Sequence, residues 1–240
     1  MDINAEGLNF RELNEKIKET SDSKIIINNC MGQRYIGSGL KGKNIIVNGI
    51  AGNALGAYLD GCTIRVNGSA QDAAGDTMND GIIYIHGNSG DACGYAMRGG
   101  KIFIKGNAGY RTGVHMKQYE NRRPVLVVGG NVGSFLGEYL AGGIIIVLGL
   151  NSDGLPPVGN FCGTGMHGGK IYLRCESLPG NLPKQVIAKE ASEYDMDEIK
   201  TNIKEFCEEF KAEYDKILSK RFFCLTPDTR NPYKEHYTYN

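Results

Sequence analysis

Seven glycines, Gly37, Gly56, Gly75, Gly94, Gly113, Gly137 and Gly163, recur through the middle of the chain, the first five at an unbroken period of 19 residues. Three positions after each stands a long unbranched hydrophobe: Leu40, Leu59, Met78, Met97, Met116, Leu140 and Met166. A short β-rich run follows every one of these. The runs are Ile45-Ile46-Val47, Ile64-Arg65-Val66, Ile83-Tyr84-Ile85, Ile102-Phe103-Ile104, Leu126-Val127-Val128, Ile145-Ile146-Val147 and Ile171-Tyr172-Leu173. Self-similarity at a fixed period of this length predicts a solenoid, in which no repeat buries its apolar side alone.

Each repeat carries one strand signal flanked by glycines and no helical stretch, which excludes leucine-rich and ankyrin-type units. The predicted fold class is an all-β solenoid, a single-stranded right-handed parallel β-helix with a short N-terminal helix and a long C-terminal helix. Like residues then stack on like. The Leu/Met column is one wall of the core, and the first and third residues of each strand are another. The residues before the key glycines, Ile36, Leu55, Ala74, Cys93, Thr112, Leu136 and Cys162, form a third, mixed inward column. Glycine supplies corners with positive φ, which accounts for 34 glycines in 240 residues, about twice the ordinary share.

The middle strand residues, Ile46, Arg65, Tyr84, Phe103, Val127, Ile146 and Tyr172, should point outward, yet six of the seven are apolar or aromatic. A solvated face would alternate to polar residues, so something covers this one. Ile199, Ile203, Phe206 and Phe210 belong to one apolar stripe between Asp195 and Ser219. A helix over that stretch is the expected cover, with a partner subunit as the rival.

Residues 1–23 are expected to form an N-terminal cap helix, 24–175 the β-helix, and 176–240 the C-terminal helix with an extended tail from Thr226. Phe10, Leu13 and Ile17 stand at helical spacing, with Asn9 and Glu12 set as a capping box. Two repeats carry insertions, at 117–123 and 151–157, which read as surface loops where partners bind. Arg122 and Arg123 in the first suit either an anionic partner or plain solubility.

The formal charge is zero, which offers no electrostatic case for nucleic acid or an acidic membrane. Neither a basic and apolar leader nor a run of about 20 apolar residues is present, so a cytoplasmic location is expected. Seven cysteines show no pair within four residues of each other, unlike common zinc and iron–sulfur spacings, and are expected to be reduced and buried. His86, His115, His167 and His236 have no metal-ligand spacing. Asp72, Asp76, Asp80 and Asp91 cluster in adjacent repeats, as in a polysaccharide-cleaving β-helix, although turn aspartates explain them as well. No Gly-Lys-Ser/Thr follows the Gly-x-x-x-Gly pairs, which are corners rather than phosphate cradles. The expectation is no catalytic, cofactor-binding or metal residue on this chain.

The repeat Gly-x-x-x-Gly-x-x-Met/Leu-x-Gly-Gly-x-Ile-x-Ile/Val-x-Gly, seen at Gly90–Gly106 and Gly133–Gly149, resembles the glycine-motif (GXGXG) β-helix domain at the C-terminal end of the glutamate synthase large subunit. The segment Gly159–Gly169 is most similar. The same repeat occurs in one of the subunits of formylmethanofuran dehydrogenase. The glutamate synthase resemblance, in its stand-alone form, implies a scaffold between an amidotransferase subunit, which frees ammonia from glutamine, and a flavin/iron–sulfur synthase subunit, which reduces the imine of 2-oxoglutarate. FMN and the iron–sulfur cluster would then sit on the partner subunit. Alternatives are a structural subunit of a formylmethanofuran-dehydrogenase-like oxidoreductase complex and a free-standing carbohydrate-active or carbohydrate-binding β-helix.

Overall fold

The structure, a computed structural model, describes residues 1–228. In chain order its elements are β1 (Asp2–Asn4), α1 (Phe10–Glu19), β2 (Lys24–Met31), β3 (Asn44–Ile50), β4 (Asp60–Asn67), β5 (Asp80–Ile85), β6 (Lys101–Ile104) and β7 (Val125–Val128). They continue with β8 (Ala141–Val147), β9 (Gly168–Arg174), β10 (Val186–Glu190), α2 (Glu193–Phe210), α3 (Tyr214–Leu218) and β11 (Phe222–Pro227). All eleven strands form one sheet in the order β1-β2-β3-β4-β5-β6-β7-β8-β9-β11-β10. Strands β1 to β9 are parallel, whereas β11 pairs antiparallel with β9 and β10 antiparallel with β11.

Register follows the repeat: Ile45 lies beside Ile64, Ile64 beside Ile83 and Ile83 beside Ile102. A second ladder of single parallel bridges joins Ala51, Ala70, Ser89, Ala108, Val132 and Val158 in turn. Equal spacing in sequence thus becomes vertical alignment in space, which lets identical side chains interdigitate without a change of register.

The three inward columns are where the sequence puts them. The first and third strand residues from Ile45 to Leu173 are fully buried, as are Ile36, Leu55, Ala74, Cys93, Thr112 and Leu136. In the Leu/Met column only Leu40, at the first repeat, is partly exposed. Glycine is required at the key position on two counts. At Gly75 φ is +71°, which disfavours other residues, and a Cβ would sit 2.3 Å from Ile102 Cδ1 of the next repeat, so conformation and strand packing together select glycine.

Helix α1 carries the capping box read from the sequence. Asn9 Oδ1 accepts from the N–H groups of Arg11 and Glu12, and Glu12 Oε2 accepts from Asn9 N–H at 3.0 Å. Leu13 and Ile17 are buried in the main core.

The C-terminal region corrects the expectation of one long helix from Asp195 to Ser219. Helix α2 starts two residues earlier, after a Ser192/Asp195 capping box, and stops at Phe210, because Lys211 adopts a left-handed conformation with φ 59°. The five-residue α3 follows. The expected extended tail is instead strand β11 at Thr226 and Pro227, and its remainder, 229–240, lies outside the described residues. Strands β1, β10 and β11 have no counterpart in the sequence reading, because pairing at the ends of the stack leaves no trace in the period.

Candidate interaction surfaces

Helix α2 lies across the outward face of the sheet, and together they form a second apolar body. Ile199, Ile203 and Phe206 of α2 are fully buried against Phe103, Val127, Ile146 and Tyr172. Charged residues flank this seam. Glu209 binds Arg65 Nε at 3.2 Å and His86 Nε2 at 3.0 Å. Glu205 accepts from Tyr84 Oη at 2.8 Å and from Lys101 Nζ at 2.7 Å. At the other end Lys170 Nζ bridges Asp195 at 2.9 Å and Glu198 at 3.0 Å, while Tyr172 Oη donates to Glu198.

These bonds fix charge states. Burial opposes ionisation of Asp195, but its bonds to Ser192 and Lys170 outweigh that and hold its carboxyl well below the usual range. Glu198 is lowered in the same way, burial being overcome by Tyr172, Arg123 and Lys170. Burial and the adjacent Glu198 push the Tyr172 phenol far up. The polar groups around α2 therefore act as a clasp on the sheet.

The insertion at 117–123 folds back over the stack. Its Arg122 Nη1 reaches Asp60 Oδ1 at 3.2 Å, and its Arg123 Nη1 reaches Glu198 Oε1 at 2.8 Å. Both arginines thus grip carboxylates of this same chain. Two depressions flank the loop, one beside Gly142, Gly143 and Lys170, the other beside Gly61, Gly81 and Lys101. The insertion at 151–157 is pinned by Ser152, whose hydroxyl donates to the Gly149 carbonyl at 2.8 Å, and it leaves Leu155 exposed.

The aspartate cluster is used locally. Asp72 Oδ1 accepts from Asp91 N–H at 2.9 Å, and Asp91 Oδ1 accepts from Tyr110 N–H at 2.8 Å. Asn53, Asn88 and Asn107 make the same bond one repeat onward. Each side chain satisfies a backbone donor of the next turn, so these residues act as rungs between repeats. Asp76 accepts from the Thr77 hydroxyl and Asp80 from Gly81 N–H. His86 joins the helix clasp, His115 lies in an exposed ring stack, His167 is exposed in the outward column, and His236 lies outside the described residues. All seven cysteines are free and buried, and burial pushes Cys93 up to about 11 and Cys162 to about 12. Among the described residues no three His, Cys, Asp or Glu side chains group as a metal site, and no helix is long and apolar enough to cross a membrane.

One surface escaped the sequence reading. In every repeat the chain turns through three left-handed residues, two before, at, and two after the key glycine. In the second repeat these are Ala54, Gly56 and Tyr58, with φ of 60°, 62° and 56°. Only the central one is invariably glycine, although non-glycine residues resist this conformation by about 1 kcal/mol or more. Their N–H groups hydrogen-bond to adjacent repeats, as Ala54 does to the Asp72 carbonyl and Tyr58 to the Asp76 carbonyl, and these bonds hold them. The turns expose side chains along one edge: Tyr58, Tyr95, Tyr110, Tyr139 and Phe161 are all more than 40% exposed. Rings stack along it from repeat to repeat, His115 on Tyr139 at 5.1 Å and Phe135 on Phe161 at 5.0 Å. An exposed row of aromatic side chains is the composition of a protein-binding surface.

Glycine-punctuated repeats stacked in register, with their apolar outer face under a helix, define a class of repeat protein built around a mostly parallel sheet. The GXGXG motif family matches residues 11–227, and the chain belongs to that family. An uncharacterized protein of Methanocaldococcus jannaschii is 44% identical over 249 residues, covering 98% of this chain and 95% of that one. A solved structure is also similar: the formyltransferase/hydrolase complex (FhcABCD) from Methylorubrum extorquens in complex with methylofuran. It matches with a TM-score of 0.61 and 23% identity, over 85% of this chain and 74% of the matched chain. At that identity the likeness is one of fold.

Proposed function

We propose that this chain is an architectural subunit of a multi-subunit enzyme complex. Its body is a single-stranded right-handed parallel β-helix that holds catalytic partners in fixed relation. The observation that carries this reading is that nearly the whole chain shares its fold with a component of the formyltransferase/hydrolase complex. The use of its carboxylates as rungs and helix clasps agrees with it. The neighbour favours a structural subunit in a formylmethanofuran-dehydrogenase-like complex over the glutamate synthase scaffold. The latter rests on the similarity of the Gly159–Gly169 run and makes amidotransferase and flavin/iron–sulfur synthase chains the alternative partners. Under the glutamate synthase reading FMN and the iron–sulfur cluster reside on a partner subunit, and the isolated chain binds no flavin.

Purifying the tagged chain from its native cells tests this. Stoichiometric recovery with pterin- or formyl-handling subunits supports the first complex, and recovery with an amidotransferase and a flavoprotein supports the second. A chain recovered alone that turns over a substrate by itself contradicts both.

A further inference from the structure

A further depression, of about 310 Å³, lies beside the insertion at 151–157. Asp153 and Gly154 of the insertion line it, together with Arg174 at the end of β9, Glu176 just beyond it and Lys220 just before β11. Its wall is preformed. Glu176 N–H donates to the Gly154 carbonyl at 2.8 Å and Leu150 N–H to the Gly129 carbonyl at 2.8 Å, while the buried Ser152 hydroxyl holds the Gly149 carbonyl. A site of fixed shape binds a ligand without the cost of ordering a loop.

Charge sets this depression apart from the two beside the 117–123 loop. There the lysines, Lys101 and Lys170, are held by Glu205, Asp195 and Glu198 of α2. Here Asp153, Arg174, Glu176 and Lys220, two of each sign, make no ion pair among the described residues. Arg174 is partly buried, donates from Nη1 to the Leu148 carbonyl at 2.8 Å, and has no acceptor for its buried Nε. Burial pushes its pKa below the usual guanidinium range, with the Glu176 carboxylate acting the other way. A half-buried guanidinium with donors to spare and no counter-charge is the feature that a bound carboxylate explains.

We propose that this depression binds a small zwitterion, a carboxylate and an ammonium group joined through a short carbon link, which is the chemistry of a free amino acid. The carboxylate takes the remaining N–H donors of Arg174 and the Lys220 ammonium, and the ligand's own ammonium lies toward Asp153 and Glu176. A plain anion would face those two carboxylates, and a plain cation would face Arg174 and Lys220. Only a ligand carrying both signs is complementary to the whole lining. The volume is at the small end of ligand pockets, which restricts the ligand to a short side chain.

Titration of the full chain with L-alanine, followed by NMR at the amide resonances of Gly154 and Glu176, is the test. Saturable shifts are expected, with a dissociation constant of about 1 mM. Acetate and ethylammonium, which each carry one of the two charges, should bind at least about tenfold more weakly. Arg174→Gln and Glu176→Gln should each weaken alanine binding by about tenfold or more. Arg174→Gln also loses the bond to Leu148, whereas Glu176 is exposed and its side chain makes no ion pair among the described residues. Glu176→Gln should therefore melt with the wild type, which separates lost binding from lost structure. No saturable shift by about 50 mM alanine, acetate binding as tightly as alanine, or an affinity unchanged in both variants would overturn the proposal.

Discussion

Ile46 and Ile146 occupy the same column of the same sheet, yet Ile146 is fully buried and Ile46 is partly exposed. The difference is helix α2. At 1.5 Å per residue its 18 residues span about 27 Å. It runs from the Lys170 clasp on β9 to the Arg65 clasp on β4, leaving β2 and β3 uncovered. On those two strands the outward residues next to Ile26 and Ile46 are Asn28 and Asn48, whose side chains bond to each other at 2.7 Å. Beneath the helix the Ile46 column continues with Tyr84, Phe103, Val127, Ile146 and Tyr172. Repetition therefore fixes the inner face of every strand alike, whereas the outer face is fixed by what lies over it.

The largest expected effect separates the inside from the uncovered outside. Met97→Asp would bury a charge without a partner in the middle repeat and cost several kcal/mol, enough to unfold or aggregate the protein. Ile46→Asp should shift stability by only about 1 kcal/mol or less. Chemical denaturation of the pair measures the gap, and equal losses would mean the register is misplaced.

Next comes the covered face. Phe206 is fully buried between α2 and the sheet, so Phe206→Ala should cost about 3–5 kcal/mol and raise binding of a hydrophobic dye. Ile46→Ala should do neither. If both variants behave alike, α2 does not cover the strands.

Smallest is the clasp. Asp195 and Glu198 have folded pKa values below their unfolded ones. Their contribution is complete above the ordinary carboxylate range near pH 4 and is lost as pH falls through and beneath it. Melting temperature should drop on acidification below about pH 4.5, less steeply in Asp195→Asn. Identical slopes would show that the clasp contributes nothing to stability.

The inner columns, the α1 capping box and the need for a cover over the strands were legible because each depends on local spacing. The extent of that cover was not. The apolar stripe runs on to Ile217 and Leu218, and nothing in its period marks the left-handed break at Lys211. The ladder of aspartates and asparagines was equally hidden: its bonds join residues about 19 apart, and one sequence cannot tell a turn side chain that reaches its own backbone from one that reaches the next repeat. The aromatic edge was missed for a related reason. Its rings stand at several offsets from the key glycines and in only some of the repeats, so no single column of the period shows them.

Reconstitution tests the architectural role most directly. Partner subunits recovered with this chain should each retain their partial reactions without it, and the coupled reaction should appear only when the chain is added at equal stoichiometry. Full coupled activity in its absence, or a partial reaction that this chain performs alone, would contradict the account.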